Sequence, residues 1–286
     1  MAIRVSSIED AGCFCFNLDS GLTRALPKER TKRVLCPLFS AQPVTNSPKE
    51  LIIIRMSTLE EIYEMHAADL KNLYDELKDN DLFSNCSYPL LLNMWEEEPA
   101  PKVMFFGQEQ NGWDWPDGYD CPENEGGIKY LTNLYKWFNL GNGPKPYNSL
   151  IWRYFRKMAN KLSLSTEHAF LWNNINKIGK LNSKGRPDAK ITELENKYFN
   201  VLAEELDAIK PEICIFFTGP NYDKDIRAKL PDVEFLPIEG YGPREFVRVK
   251  SKHLPENSFR IYHPGYGNRR SAWYQEVMDK IAEFSK

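Results

Sequence analysis

The sequence predicts an α/β protein, a three-layer α/β/α sandwich with a mostly parallel central sheet. Three observations carry that expectation. The apolar runs Val103–Phe106, Ala169–Trp172 and Ile213–Phe217 lack polar alternation, as strands buried on both faces do. Amphipathic helical segments separate them, and parallel strands need such crossovers. Each run ends in polar residues, at the edge where open α/β sheets bind ligands.

The elements begin at residue 56. Ser57-x-x-Glu60 has the form of a capping box. Leu59, Ile62, Tyr63, His66, Leu70, Leu73, Tyr74 and Leu77 then recur at spacings of three and four, which predicts one amphipathic helix. After the strand 103–106 and a polar loop, Ile128, Leu131, Leu134, Tyr135 and Phe138 predict a second helix, ending near Gly141. Asn148 or Ser149 caps a third, with Trp152, Phe155 and Met158 inward. The strand 169–172 leads into Asn173-Asn174. A helix over 191–209 stops before Pro211, and the strand 213–217 ends in Thr218-Gly219-Pro220-Asn221. Strands over 233–238, 245–250 and 259–262 and a helix from Ser271 complete the chain.

Residues 1–55 differ from the rest. They hold Cys13, Cys15 and prolines at 27, 37, 43 and 48, with no useful helical period. Glu9 and Asp10 interrupt any signal-peptide core. The expectation is an atypical N-terminal extension, disordered or upstream of a natural start at Met56, followed by a folded domain over 56–286.

Composition narrows the function classes. At 27% charged and 42% hydrophobic, the 286 residues have the make-up of a soluble globular protein. No apolar run approaches the roughly 20 residues that span a bilayer. The six cysteines form no C-x-x-C pair, which weighs against zinc or an iron–sulfur cluster. No metal or cofactor is therefore expected, and scattered reduced thiols suit a cytoplasmic protein, taken as a monomer. The net charge of −3 gives no bulk attraction for nucleic acid. Residues 244–270 are an exception: Arg244, Arg248, Lys250, Lys252, Arg260, Arg269 and Arg270 outnumber Glu245 and Glu256.

Four strand ends deliver polar groups to one edge: Gln108/Glu109, Asn173/Asn174, Thr218/Asn221 and His263. The order is Gly107-Gln108-Glu109, then Phe170-Leu-Trp-Asn173-Asn174-Ile-Asn176-Lys177, then Ile261-Tyr262-His263-Pro264-Gly265. This order resembles the uracil-DNA glycosylase superfamily over about residues 100–286. The resemblance implies that Glu109 activates water and that Asn174, or the adjacent Asn173, reads the base with Gln108 beside it. It also implies that His263 steadies the departing base.

The residue types suit such chemistry. Breaking an N-glycosidic bond builds positive charge on the sugar and negative charge on the base. A carboxylate orients water and steadies the first, and a neutral His donor steadies the second. An amide offers a donor and an acceptor to a uracil edge. Base flipping requires an aromatic platform, for which Trp113, Trp115, Tyr147 and Trp152 are the nearby rings. The expected partner is single- or double-stranded DNA, bound weakly and in a salt-sensitive way through Arg244, Arg269, Arg270 and an intercalating Tyr266. Gln110-Asn111 stand where the family often has Pro or Pro-Tyr, so the base is left open. The alternative is a catalytically inactive protein of this fold that binds a nucleobase, a nucleotide or a protein.

Overall fold

A computed structural model describes residues 58–94, 102–111, 113, 125–139, 148–164, 170–181, 183–267 and 269–286. The N-terminal 1–55 extension, Ser57, Trp115 and Tyr147 lie outside these. The described chain is an α/β fold with a six-stranded mixed sheet in the order β2-β1-β3-β6-β5-β4. The strands are β1 (Val103–Asn111), β2 (Phe170–Lys180), β3 (Ile213–Phe216), β4 (Glu234–Pro237), β5 (Phe246–Lys250) and β6 (Asn257–Ile261). The first four in sheet order are parallel, and β5 and β4 join antiparallel.

Around the sheet lie α1 (Leu59–Met65), α2 (Ala67–Asp79), α3 (Glu125–Asn139), α4 (Leu150–Lys161), α5 (Ala189–Tyr198), α6 (Leu202–Ile209), α7 (Asp223–Lys229) and α8 (Ser271–Phe284). Parallel register puts Phe105, Ile215 and Phe259 in one row. Phe105 stacks on Phe155 of α4 at 5.2 Å and Phe259 on Phe284 of α8 at 5.8 Å, so these helices cover that face. The next row, Phe106, Phe216 and Arg260, points the other way. There Arg260 pairs with Asp223 of α7 at 3.0 Å, and Asn173 of β2 reaches Glu205 of α6. Side chains alternate across a strand, so helices cover both faces and the three layers follow.

Three local expectations differ from the structure. The capping box is Thr58–Glu61 rather than Ser57–Glu60, with the two reciprocal bonds at 2.8 and 3.2 Å. The first helix breaks at His66, which caps α1 and opens α2 while its Nε2 meets Glu204 at 3.0 Å. The helix expected over 191–209 is two helices. Phe199 leaves helical geometry at φ −137° and inserts its ring beside Tyr63 and His66. A tertiary contact there overrides a local period.

The largest difference concerns the strands that carry the site. β1 and β2 run on to Asn111 and Lys180, well past Phe106 and Trp172. Gln108, Glu109, Asn173 and Asn174 are therefore strand residues, not loop residues. The two strands stay paired from Val103↔Phe170 to Asn111↔Lys180, with a register shift after Glu109. Mutual pairing satisfies the backbone, so the polar side chains do not end the strand.

Candidate active site

Strand β1 connects to β2 on one side, and parallel β3 lies on its other side, so the strand order reverses between β1 and β3. Ligand crevices form at such a switch point. Here Gln108 Nε2 donates to Thr218 O at 2.7 Å, tying the ends of β1 and β3 together. Gly219 N donates to Ile261 O at 2.9 Å, tying β3 to β6. Glu109 and His263 thus belong to strand ends separated by one intervening strand.

Glu109 is in register with Asn176 of β2 and is only partly exposed. Burial raises its carboxyl pKa, while the Tyr222 hydroxyl and the Arg186 guanidinium pull the other way. Tyr222 Oη donates to Glu109 Oε2. Tyr222 comes from the turn after β3, and Arg186 lies 4.1 Å from its ring centroid. Neither residue was part of the expected site. Their signal lies in tertiary placement, since both sit in loops without a motif.

The two asparagines part company because adjacent strand residues face opposite ways. Asn173 is consumed in a buried polar network: its Nδ2 donates to Glu205 Oε2 at 3.0 Å, and its Oδ1 accepts from Lys177 Nζ at 2.7 Å. Lys177 also donates to both Glu205 oxygens at 2.6 and 2.7 Å, and Tyr63 Oη donates to Glu205 at 2.6 Å. This corrects the alternative assignment of Asn173 as base reader, because its amide has no remaining face toward a ligand.

Asn174 faces the other way. Its Oδ1 accepts from Trp172 Nε1 at 3.2 Å, while its buried Nδ2 has no partner. Asn176, two residues on and on the same face, is fully buried with both Nδ2 and Oδ1 unpartnered. Thr218 Oγ1 and Trp113 Nε1 are likewise buried and unmatched. Unpartnered buried atoms also occur elsewhere, at Ser149, Asn196 and Asn200. Asn174, Asn176 and Thr218, however, belong to the two strands that flank β1 or to their ends, where a ligand or water would complete them. The sequence held a signal for Asn176: a period of two from Asn174, legible once β2 is known to continue.

Gln110 is structural. Only 3% exposed, its Nε2 donates to Ser87 Oγ at 3.0 Å, to Tyr88 O at 2.7 Å and to Lys177 O. It tethers the 87–88 segment to β2, while its Oε1 is buried without a partner.

His263 follows β6. Gly265 N donates to its Nδ1 at 3.0 Å, so the proton of the neutral ring sits on Nε2. Burial lowers its pKa to about 4, which keeps the ring neutral near pH 7. Tyr274 Oη and Tyr266 N both donate to its backbone oxygen, at 2.7 and 2.8 Å, and fix the segment.

The basic stretch is not one stripe. Arg260 is fully buried, and Arg269 forms an ion pair with Glu245 while lying over Tyr262 and Trp273. Because β5 runs antiparallel to β6, Lys250 and Lys252 sit toward the opposite sheet edge from His263. Arg248 is used there, donating to Glu256 O at 2.8 Å. Near His263 remain exposed Arg244, which donates to Asn221 Oδ1 at 3.0 Å, and exposed Arg270. Tyr266 is 40% exposed and stacks parallel on Tyr262 at 4.6 Å. Trp113 and Trp152 belong to a packed aromatic cluster with Phe138 and Trp172.

Among the described residues, no group of three or more His, Cys, Asp or Glu side chains could hold a metal ion, and no helix is long and apolar enough to cross a membrane. No protein-family model and no curated protein matches the chain.

Proposed function

We propose that the chain is a DNA base glycosylase-like hydrolase that cleaves the N-glycosidic bond of uracil or a related damaged base. One observation carries the reading. The same end of the parallel strands carries a half-buried carboxylate, Glu109 on β1, unmatched buried amides, Asn174 and Asn176 on adjacent β2, and a neutral Nε2–H imidazole, His263, after β6 two strands away. The resemblance over residues 100–286 supplies the same three residue types in the same order.

The chemistry runs on the chain's own groups. The glycosidic bond breaks with its electron pair on the base, and the His263 Nε2–H donates to the base oxygen that gathers the charge. Water attacks the sugar carbon, and Glu109 takes its proton. The Asn174 Nδ2 donates to a base carbonyl, and Asn176 offers both a donor and an acceptor. No step requires a metal or cofactor. DNA binding rests on Arg244, Arg270 and the exposed Tyr266 ring, with few enough cations that affinity is weak and salt-sensitive. The buried free thiols of Cys86 and Cys214 suit a reducing, cytoplasmic setting, and we take the protein to act as a monomer.

A second reading is a catalytically inactive protein of the same fold that binds a nucleobase or nucleotide. Burial raises the Glu109 carboxyl pKa, which weighs toward this reading because only the ionised carboxylate activates water. The test is base release by the full chain from single- and double-stranded oligonucleotides carrying uracil, hypoxanthine or oxidised pyrimidines. Release from at least one substrate is expected. Binding without release would favour the second reading, and neither would reject both.

A further inference from the structure

The turn after β3 presents a side chain to Glu109 for which the proposed chemistry has no role. Gly219 takes φ +72°, and Pro220 opens the 3-10 turn Pro220–Tyr222 that carries the chain over the end of β3. Positive φ favours glycine, and proline suits the first position of such a turn. Tyr222 is delivered buried, with its hydroxyl donating to Glu109 Oε2.

The ring is held from its far side. The Arg186 guanidinium lies 4.1 Å from the ring centroid. Arg186 is itself fixed by two bonds to Asp225, at 2.6 and 2.7 Å, and one to Asn221 O at 2.9 Å. Loop, turn and helix α7 thus converge to fix one oxygen of one carboxylate. A buried tyrosine hydroxyl needs an acceptor, and here the acceptor is the carboxylate of the candidate site.

We infer that Tyr222 is a positioning residue: its hydroxyl occupies Glu109 Oε2 and aims Oε1 at the attacking water. The inference deepens the glycosylase reading and rests on it for any effect on rate. The hydrogen bond itself can be tested without activity.

The charged and titratable groups facing Glu109 are Tyr222 from the turn, Arg186 from the loop after β2, Lys180 at the end of β2 and Asp225 on α7. Tyr222, Arg186 and Lys180 favour the carboxylate, and Asp225 opposes it. Deleting the hydroxyl therefore makes Glu109 easier to protonate. A general base works only when ionised, so activity is lost at a higher pH as the solution is acidified.

The experiment is Tyr222→Phe in the full chain, which keeps the ring and its stack. Carboxyl-carbon NMR titration of Glu109 is expected to show a midpoint above that of the unmodified protein. Base release is expected to lose roughly tenfold in kcat with KM little changed, the size of one charge-assisted hydrogen bond, and its acidic limb moves upward. An unchanged Glu109 midpoint overturns the inference. Arg186→Met is a second variant that leaves the hydroxyl in place; it predicts an upward midpoint too, and no movement in either variant counts against the arrangement. If the unmodified protein releases no base, the glycosylase reading fails and the aiming of water with it, while the NMR midpoint still decides whether the Tyr222 hydroxyl holds the Glu109 carboxylate.

Discussion

Gly107 of β1 lies directly opposite Asn174 of β2, and a Cβ at position 107 would overlap Asn174 Oδ1. The glycine of Gly107-Gln108-Glu109 is an absent side chain into which the amide settles. Gly107→Ala therefore forces Asn174 off its position. The expected result is a loss of base release of at least about tenfold and a destabilisation of about 1–3 kcal/mol, read by single-turnover kinetics and urea unfolding. Unchanged activity would show that the placement of Asn174 does not matter.

His263 gives a pH signature. Its folded pKa of about 4 lies below the ordinary 6.5 because burial disfavours the charged ring. The unfolded chain binds more protons between these values, so stability rises with pH across that window. The contribution is fully present above 6.5 and is lost as pH falls toward 4. Relative to His263→Gln, the unmodified protein should lose roughly 3 kcal/mol between pH 7 and pH 4. Ring-nitrogen NMR should report a neutral Nε2–H tautomer at pH 6, and a titration near 6.5 would contradict the neutral donor.

The other face of β2 predicts stability rather than activity. Lys177 and Glu205 are buried at 3% and 0% side-chain exposure, 2.6 Å apart, with Asn173 and Tyr63 completing the network. Removing one partner leaves the other charge uncompensated, so Glu205→Gln or Lys177→Met should cost about 3–5 kcal/mol in urea unfolding. A cost below about 1 kcal/mol would mean that the pair is not buried and ionised together.

The basic residues separate by position. Arg270 is exposed near His263, whereas Arg248 is used at the far edge. Arg270→Ala should weaken DNA binding and reduce the slope of log affinity against log salt by about 1. Arg248→Ala should leave that slope unchanged. Equal effects from both would return the whole 244–270 stretch to the DNA interface.

Much of this was legible before the fold. Unalternating apolar runs placed β1, β2 and β3, and their polar followers lie at one end of the parallel strands. Strand length was not legible. Asn173, Asn174 and Asn176 resemble a turn by composition, and only pairing with β1 keeps them extended. The face each takes then follows from parity, which divides a buried structural Asn173 from Asn174 and Asn176. Tyr222 and Arg186 were invisible for another reason. Their roles come from a turn and a loop brought beside Glu109 by tertiary contacts, and no spacing in the chain encodes that. The burial of Gln110 was illegible for the same reason, because its partners Ser87 and Tyr88 lie on a distant segment.

The central claim is that Glu109 acts in base release, and one comparison tests it most directly. Single-turnover base release from uracil-containing single- and double-stranded DNA is measured for the unmodified protein and for Glu109→Gln, with both shown to be folded. The account predicts measurable release that falls by about 100-fold or more in Glu109→Gln. Equal rates in the two proteins would contradict it.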